Sequence, residues 1–167
     1  GLSAGLFFFP QYGEYAPYDP KDNARTLCDM QFVSWVLSQF SSIDQLKDAL
    51  ESVKLVTLNH KIGSVHWRIT QPDGKMVVLE VVDGVPHFYD NELGVLTNSP
   101  GFPWHMTNLD NYVNLRPGAA SDYELTAGVG LRAIGGGSAM IGLPGDFTPP
   151  SRFVKIGRAS CRERVLV

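Results

Sequence analysis

Apolar residues fall in short blocks along this chain, and the spacing within each block predicts an element. Gly1 to Phe9 is nearly continuous in Leu and Phe and predicts a buried strand. Tyr12 to Asp22 is polar and carries Pro17 and Pro20, which predict an irregular loop. From Leu27 to Phe40, the residues Leu27, Met30, Val33, Val36, Leu37 and Phe40 recur at three- and four-residue steps. That is one face of a helix of about four turns. Ser42-Ile43-Asp44-Gln45 then fits a capping box, with Ser42 and Gln45 satisfying free N–H groups. The second helix runs to Ser52 and turns Ile43, Leu46, Ala49 and Leu50 inward.

The pattern then changes to strands. Val65 to Thr70 and Lys75 to Val82 are joined by Pro72-Asp73-Gly74, where Gly74 suits a hairpin turn. The run Met76 to Val82 is apolar at nearly every position, as in a strand covered on both faces. Glu80 interrupts it and requires a partner if buried, expected to be a Lys or Arg across the sheet. Val85 to Tyr89 and Val95 to Thr97 are strand-like, Ser99-Pro100 ends that ladder, and a short helix follows from Pro103 to Val113. Helices with one polar side around a two-faced strand predict an α+β protein with helices outside two stacked sheets.

Asn98 therefore stands in a turn after an apolar strand, where loops held by a scaffold carry chemistry. Its amide could donate to a developing oxyanion. Alternatively it bonds its own backbone in an Asx-type turn. A second segment, Gly142-Leu143-Pro144-Gly145-Asp146-Phe147-Thr148-Pro149-Pro150-Ser151-Arg152-Phe153, bears on the choice. Together, Leu96-Thr97-Asn98-Ser99-Pro100, Trp104-His105, Asn108-Leu109 and this segment resemble the choloylglycine hydrolase family, the bile salt hydrolases and penicillin V acylases. The opening GLSAGLFFFPQYGEY, the stretch FVSWVLSQFSSIDQLKDAL and the pair HWRITQPDGKMVVLEVVDG fit in the same order. The resemblance covers residues 1 to 155.

The resemblance implies an incomplete four-layer α/β/β/α sandwich of the N-terminal nucleophile hydrolase type. It implies a linear amide hydrolase whose nucleophile is an N-terminal cysteine with its own α-amine as base. Gly1 is no nucleophile and Cys28 is internal, so the chain is expected to be an internal piece, inactive and aggregation-prone alone. Asn98 matches the family's oxyanion-hole asparagine, and Arg152 matches the arginine near the nucleophile, where a fixed cation favours thiolate. Phe8 stands where bile salt hydrolases commonly carry an asparagine in GLNFP. Its N–H can still complete the oxyanion hole, and its ring resembles the penicillin V acylase branch and favours flat apolar acyl groups. The family's habit of forming tetramers implies a homo-oligomer, with part of Leu115 to Met140 in subunit contacts.

Composition narrows the remaining options. With 167 residues, 44% hydrophobic and 19% charged, the chain suits one globular domain. A net charge of −3 gives no basis for nucleic-acid binding, and no apolar run is long enough to span a membrane. No export signal is visible, so a cytoplasmic location is expected. Two cysteines, Cys28 and Cys161, support neither a disulfide framework nor a zinc site, and no cofactor or metal is implied. Cys28 reads as a half-buried hydrophobe, the alternative being a papain-like pair with His66 or His105. His105 reads as a structural hydrogen-bonding group. Asp146 is expected to bond the backbone of its own loop, or to pair with Arg152 at the surface. Gly135-Gly136-Gly137-Ser138 lacks the Lys-Ser or Lys-Thr of a phosphate cradle and reads as a mobile loop. Asn59 to Ser64 and Leu115 to Met140 read as loops, the second long enough to shape a pocket. From Ile156 to Val167 the composition turns Arg-rich and resembles a translated sequencing adapter, so this stretch is expected to be a non-native tail. An amide hydrolase is the first functional expectation. A non-catalytic binding or assembly module on the same scaffold is the second.

Overall fold

The computed structural model describes residues 1–59, 61, 63–115, 118, 120–133 and 140–164. In chain order, strands β1 (Ser3–Phe8) and β2 (Thr26–Cys28) precede helices α1 (Phe32–Gln39) and α2 (Ile43–Leu50). Strands β3 (Lys54–Val56), β4 (Val65–Thr70), β5 (Met76–Val82) and β6 (Val85–Asp90) follow. Helix α3 (Phe102–Leu109), the hairpin β7 (Tyr123–Thr126) and β8 (Val129–Leu131), and helix α4 (Pro149–Arg164) complete the described elements.

A four-stranded antiparallel sheet in the order β1-β4-β5-β6 organises the molecule. Its turns follow from sequence: Gly74 takes φ +92° between β4 and β5. Asp83 and Gly84 take φ +52° and +75° in the two-residue loop before β6, the signature of a type I′ hairpin. β5 is central and, as expected, covered on both faces. On one face Val65, Trp67, Ile69, Val77 and Leu79 pack against Phe32, Val36, Ile43 and Leu46 of α1 and α2, all 0% exposed. Each side chain so buried contributes roughly 1.5–3 kcal/mol. On the other face Val78 packs against Val95, Leu96, Phe102 of α3 and Phe153 of α4. The chain is α+β, with an outer helical layer on a sheet.

Four local expectations are corrected. β1 is an edge strand, half-exposed over most of its length rather than buried, although Phe9 just beyond it is fully covered. The helix expected from Leu27 begins only at Phe32, because Thr26–Cys28 pairs in parallel with Lys54–Val56. A parallel pair needs a crossover, and α1 and α2 supply it. Val95–Thr97 forms no ladder. The loop expected from Leu115 to Met140 contains the exposed hairpin β7–β8. The capping box is present with one change: Ser42 Oγ accepts from the Gln45 N–H, while Gln45 Oε1 accepts from the N–H of Ser41. The helix expected over 103–113 is α3 followed by a 3-10 turn, Asp110–Tyr112. The compositional change at Ile156 falls inside α4.

Candidate active site

The segment that carries Asn98 is fixed by side chains in place of a ladder. β4 presents Arg68 and His66 on the same face, two residues apart. The Arg68 guanidinium donates to the carbonyl of Gly94 (3.0 Å), and His66 Nε2 lies 2.8 Å from the carbonyl of Thr97. The Asn91 amide donates to the carbonyl of Val95 (3.1 Å), and His105 Nε2 lies 2.9 Å from that of Asn98. Four carbonyls of this extended stretch, those of Gly94, Val95, Thr97 and Asn98, thus find partners without a neighbouring strand. Glu80, buried in β5, does not meet a Lys or Arg. Its Oε1 accepts from the Phe102 N–H (2.7 Å) and faces His66 Nδ1 (2.9 Å).

Phe8 and Asn98 are brought together by the residue between Asn98 and Pro100. The Ser99 N–H donates to the Phe8 carbonyl (3.1 Å) and the Ser99 hydroxyl to the carbonyl of Pro10 (2.9 Å). The Ser99–Pro100 peptide is cis. The Phe9 N–H donates to the Ser64 carbonyl and the Phe9 carbonyl accepts from the Ser64 hydroxyl, so both backbone groups of Phe9 face the β4 side. Antiparallel alternation then turns the N–H and carbonyl of Phe8 away from β4, toward the open edge and the Asn98 turn. Phe8 is 47% exposed. The Asn98 side chain makes no hydrogen bond to another described residue, so no Asx turn is formed.

His105 has the structural role expected of it. A carbonyl can only accept, so Nε2 carries the proton toward Asn98. The ring is fully buried and stacks on Phe153 at 4.5 Å, and Nδ1 has no partner among the described residues. Burial lowers its pKa from 6.5, opposed by the Asn98 carbonyl.

Arg152 stands in the first turn of α4 and donates to the Phe147 carbonyl (2.8 Å). No ion pair joins it to Asp146 among the described residues. Asp146 instead accepts from the Thr148 N–H and hydroxyl and from the Ser151 hydroxyl, which hold its pKa down to about 2 and brace the start of α4. The Asn98 and Arg152 segments meet near both residues: the Thr97 hydroxyl donates to the Pro149 carbonyl (3.0 Å), one residue before Asn98 and three before Arg152, and His105, which bonds the Asn98 carbonyl, stacks on Phe153 next to Arg152. No hydrogen bond links the two side chains themselves among the described residues.

Other candidates separate from this cluster. The Cys28 thiol donates to Asp29 (3.2 Å) and bonds neither His66 nor His105, so no papain-like pair exists among the described residues. Gly135-Gly136-Gly137-Ser138 lies outside the described residues. No group of three metal-ligating side chains gathers among the described residues. A cavity of about 440 Å³ lined by Tyr15, Thr57 and Ser64 includes none of Phe8, Asn98 and Arg152.

The model of linear amide C–N hydrolases of the choloylglycine hydrolase family matches residues 1–161. The chain belongs to that family. It is 38% identical over 160 residues to a bile salt hydrolase/transferase of Clostridium perfringens, covering 93% of this chain and 48% of the relative. It is 34% identical over 159 residues to a conjugated bile acid hydrolase of Lactobacillus gasseri, covering 93% and 50%. A variant of the conjugated bile acid hydrolase from Clostridium perfringens superposes with a TM-score of 0.85 at 35% identity, over 99% of this chain and 51% of the other. A penicillin V acylase from Agrobacterium tumefaciens shares the fold, with a TM-score of 0.70 at 19% identity over 97% and 43%. This family member spans about half the length of the relatives it matches. No helix among its described residues is long and apolar enough to cross a membrane.

The sequence missed the His66–Glu80 pair, although a signal existed. A hairpin turning at Gly74 sets Trp67 opposite Leu79, which puts His66 opposite Glu80 one step further along.

Proposed function

We propose that the protein carrying this chain hydrolyses the amide bond of N-acyl amides. An N-terminal cysteine, outside these 167 residues, attacks the amide carbonyl carbon through sulfur after its α-amine takes the thiol proton. The oxyanion that forms accepts from the Asn98 side chain and the Phe8 N–H. The amine leaves with the proton, and water hydrolyses the resulting thioester to free acid and cysteine. Arg152 supplies a fixed cation that favours the thiolate.

What supports this reading most is the Ser99–Phe8 hydrogen bond, 3.1 Å, which ties the Asn98 turn to the strand edge where the Phe8 N–H points. The ring of half-exposed Phe8 favours flat apolar acyl groups in its neighbourhood. Small N-acyl amides are the substrate class, with glycine- and taurine-conjugated bile salts and phenoxyacetyl amides as the two to compare. Faster turnover of phenoxyacetyl amides supports the role given to Phe8, and strong preference for bile salts contradicts it. Hydrolysis of neither, by a complete gene product with an N-terminal cysteine, contradicts the amidase reading. A serine or alanine at that position supports a binding or assembly module instead. A tetramer is the proposed assembly, supported by the exposed apolar hairpin, where Tyr123 and Leu125 are 64% and 61% exposed.

A further inference from the structure

We propose that the buried His66–Glu80 pair is the positioning device for Asn98, gripping the turn from both ends. The proposal rests on the reading above that Asn98 donates to the oxyanion. The two side chains are 0% and 2% exposed and face one another at 2.9 Å. His66 meets its partner through Nδ1 and the turn through Nε2, whereas a single oxygen of Glu80, Oε1, meets both His66 and the turn. His66 Nε2 meets the Thr97 carbonyl at 2.8 Å, one residue before Asn98. Glu80 Oε1 meets the Phe102 N–H at 2.7 Å, four residues after it. Phe9 stacks on the His66 ring at 4.5 Å, with the planes 5° apart, and closes that side.

Proton accounting makes the pair directional. The Thr97 carbonyl can only accept, so His66 Nε2 carries hydrogen. One further proton lies between Nδ1 and Oε1, on either atom, and keeps the two side chains joined. Both are rooted in β4 and β5, adjacent strands of the sheet, so neither can swing away alone. A buried ionisable pair is an expensive way to fill space that apolar side chains would fill as well. What it adds is two hydrogen bonds of fixed direction on the groups that flank Asn98. Together with His105 on the Asn98 carbonyl and Ser99 on β1, they fix the turn's backbone and leave the Asn98 amide free among the described residues. Preorganised donors stabilise an oxyanion because they need no rearrangement during the reaction.

Glu80→Gln preserves shape, but an amide nitrogen at the Oε1 position cannot accept from the Phe102 N–H and an amide oxygen there cannot take up the proton shared with His66 Nδ1, so the pair can no longer serve both ends of the turn. In the complete gene product, kcat should fall about 10- to 100-fold with KM within about twofold, because transition-state contacts are lost and binding is retained. Combined with Asn98→Ala, Glu80→Gln should add little, since both remove the same donor. A merely structural role predicts losses that multiply, and that result, or an unchanged kcat in Glu80→Gln, overturns the proposal. Should Asn98→Ala leave kcat unchanged, the oxyanion reading fails, and the grip is judged separately by hydrogen exchange of the 97–102 segment. Glu80→Gln should accelerate that exchange at least about tenfold, and no acceleration overturns the grip. In the unaltered protein, nitrogen NMR of His66 should show a protonated, slowly exchanging Nε2; a bare Nε2 overturns the proposal without any variant.

Discussion

At the scale of single residues, the turn around Asn98 is a problem of satisfied carbonyls. Four of them lean on the side chains of Arg68, Asn91, His66 and His105, and the last of these titrates. Burial lowers the His105 pKa from its ordinary 6.5. The unfolded chain therefore binds the proton more readily than the folded one. The stability contributed by the neutral ring is complete above pH 6.5 and is lost as pH falls through the lowered folded pKa. Melting temperature followed from pH 7.5 down to 5 should drop, and His105→Gln, which keeps a donor without a titrating ring, should flatten that slope. An unaltered slope in the variant would place the titration elsewhere. The resemblance names Asn98, Arg152 and Phe8, and of the residues that hold the Asn98 turn the sequence reading includes only His105, as a structural hydrogen-bonding group. Glu80 stands out in sequence as a misfit in an apolar strand, but residue type alone points to a cation as its partner. His66 became legible only through hairpin register, a non-local property that the two strand patterns define together.

At the scale of elements, those with strong local chemistry were legible: the capped α2, the β4–β5 hairpin around Gly74, and the β5–β6 hairpin partner. Each is specified by residues within a few positions of one another. Elements that depend on distant pairing were not. β2 was absorbed into the helical pattern that follows it, since only its pairing with β3, beyond two helices, makes it a strand. Val95–Thr97 has strand-like residues yet no strand, because Asn91 and His66 occupy the carbonyls of Val95 and Thr97. Close approaches give two predictions. A side chain on Gly13 would lie 2.5 Å from the Phe9 ring and 2.6 Å from the Ser64 hydroxyl. Gly13→Ala should destabilise by about 1–3 kcal/mol, read as a lower urea midpoint, and unchanged stability would contradict that contact. Ser42→Ala should cost about 1 kcal/mol through the lost cap, a lowering of melting temperature by roughly 2–4 °C. An equal melting temperature would show that Ser42 does not cap α2.

At the scale of the whole molecule, the sheet of the described residues ends at β1 with no further strand beside it, and the hairpin β7–β8 stands exposed with Tyr123, Leu125, Val129 and Leu131 outward. Open edges and apolar surface promote association. Sedimentation of the chain by itself should show concentration-dependent self-association, and a monomer at all concentrations would contradict this. In the complete gene product, Leu125→Lys with Leu131→Lys should shift a tetramer toward smaller species, and an unmoved tetramer would put the subunit contacts elsewhere. The proposed hydrolysis also belongs to the whole, since the proposal takes the nucleophile from outside these residues and the oxyanion donors from within them. The most direct test is kcat for amide hydrolysis by the complete gene product with Asn98→Ala, measured beside the unaltered enzyme. Loss of one oxyanion donor should lower kcat about 100- to 1000-fold with KM little changed. An unchanged kcat would show that the Asn98 amide takes no part in the reaction.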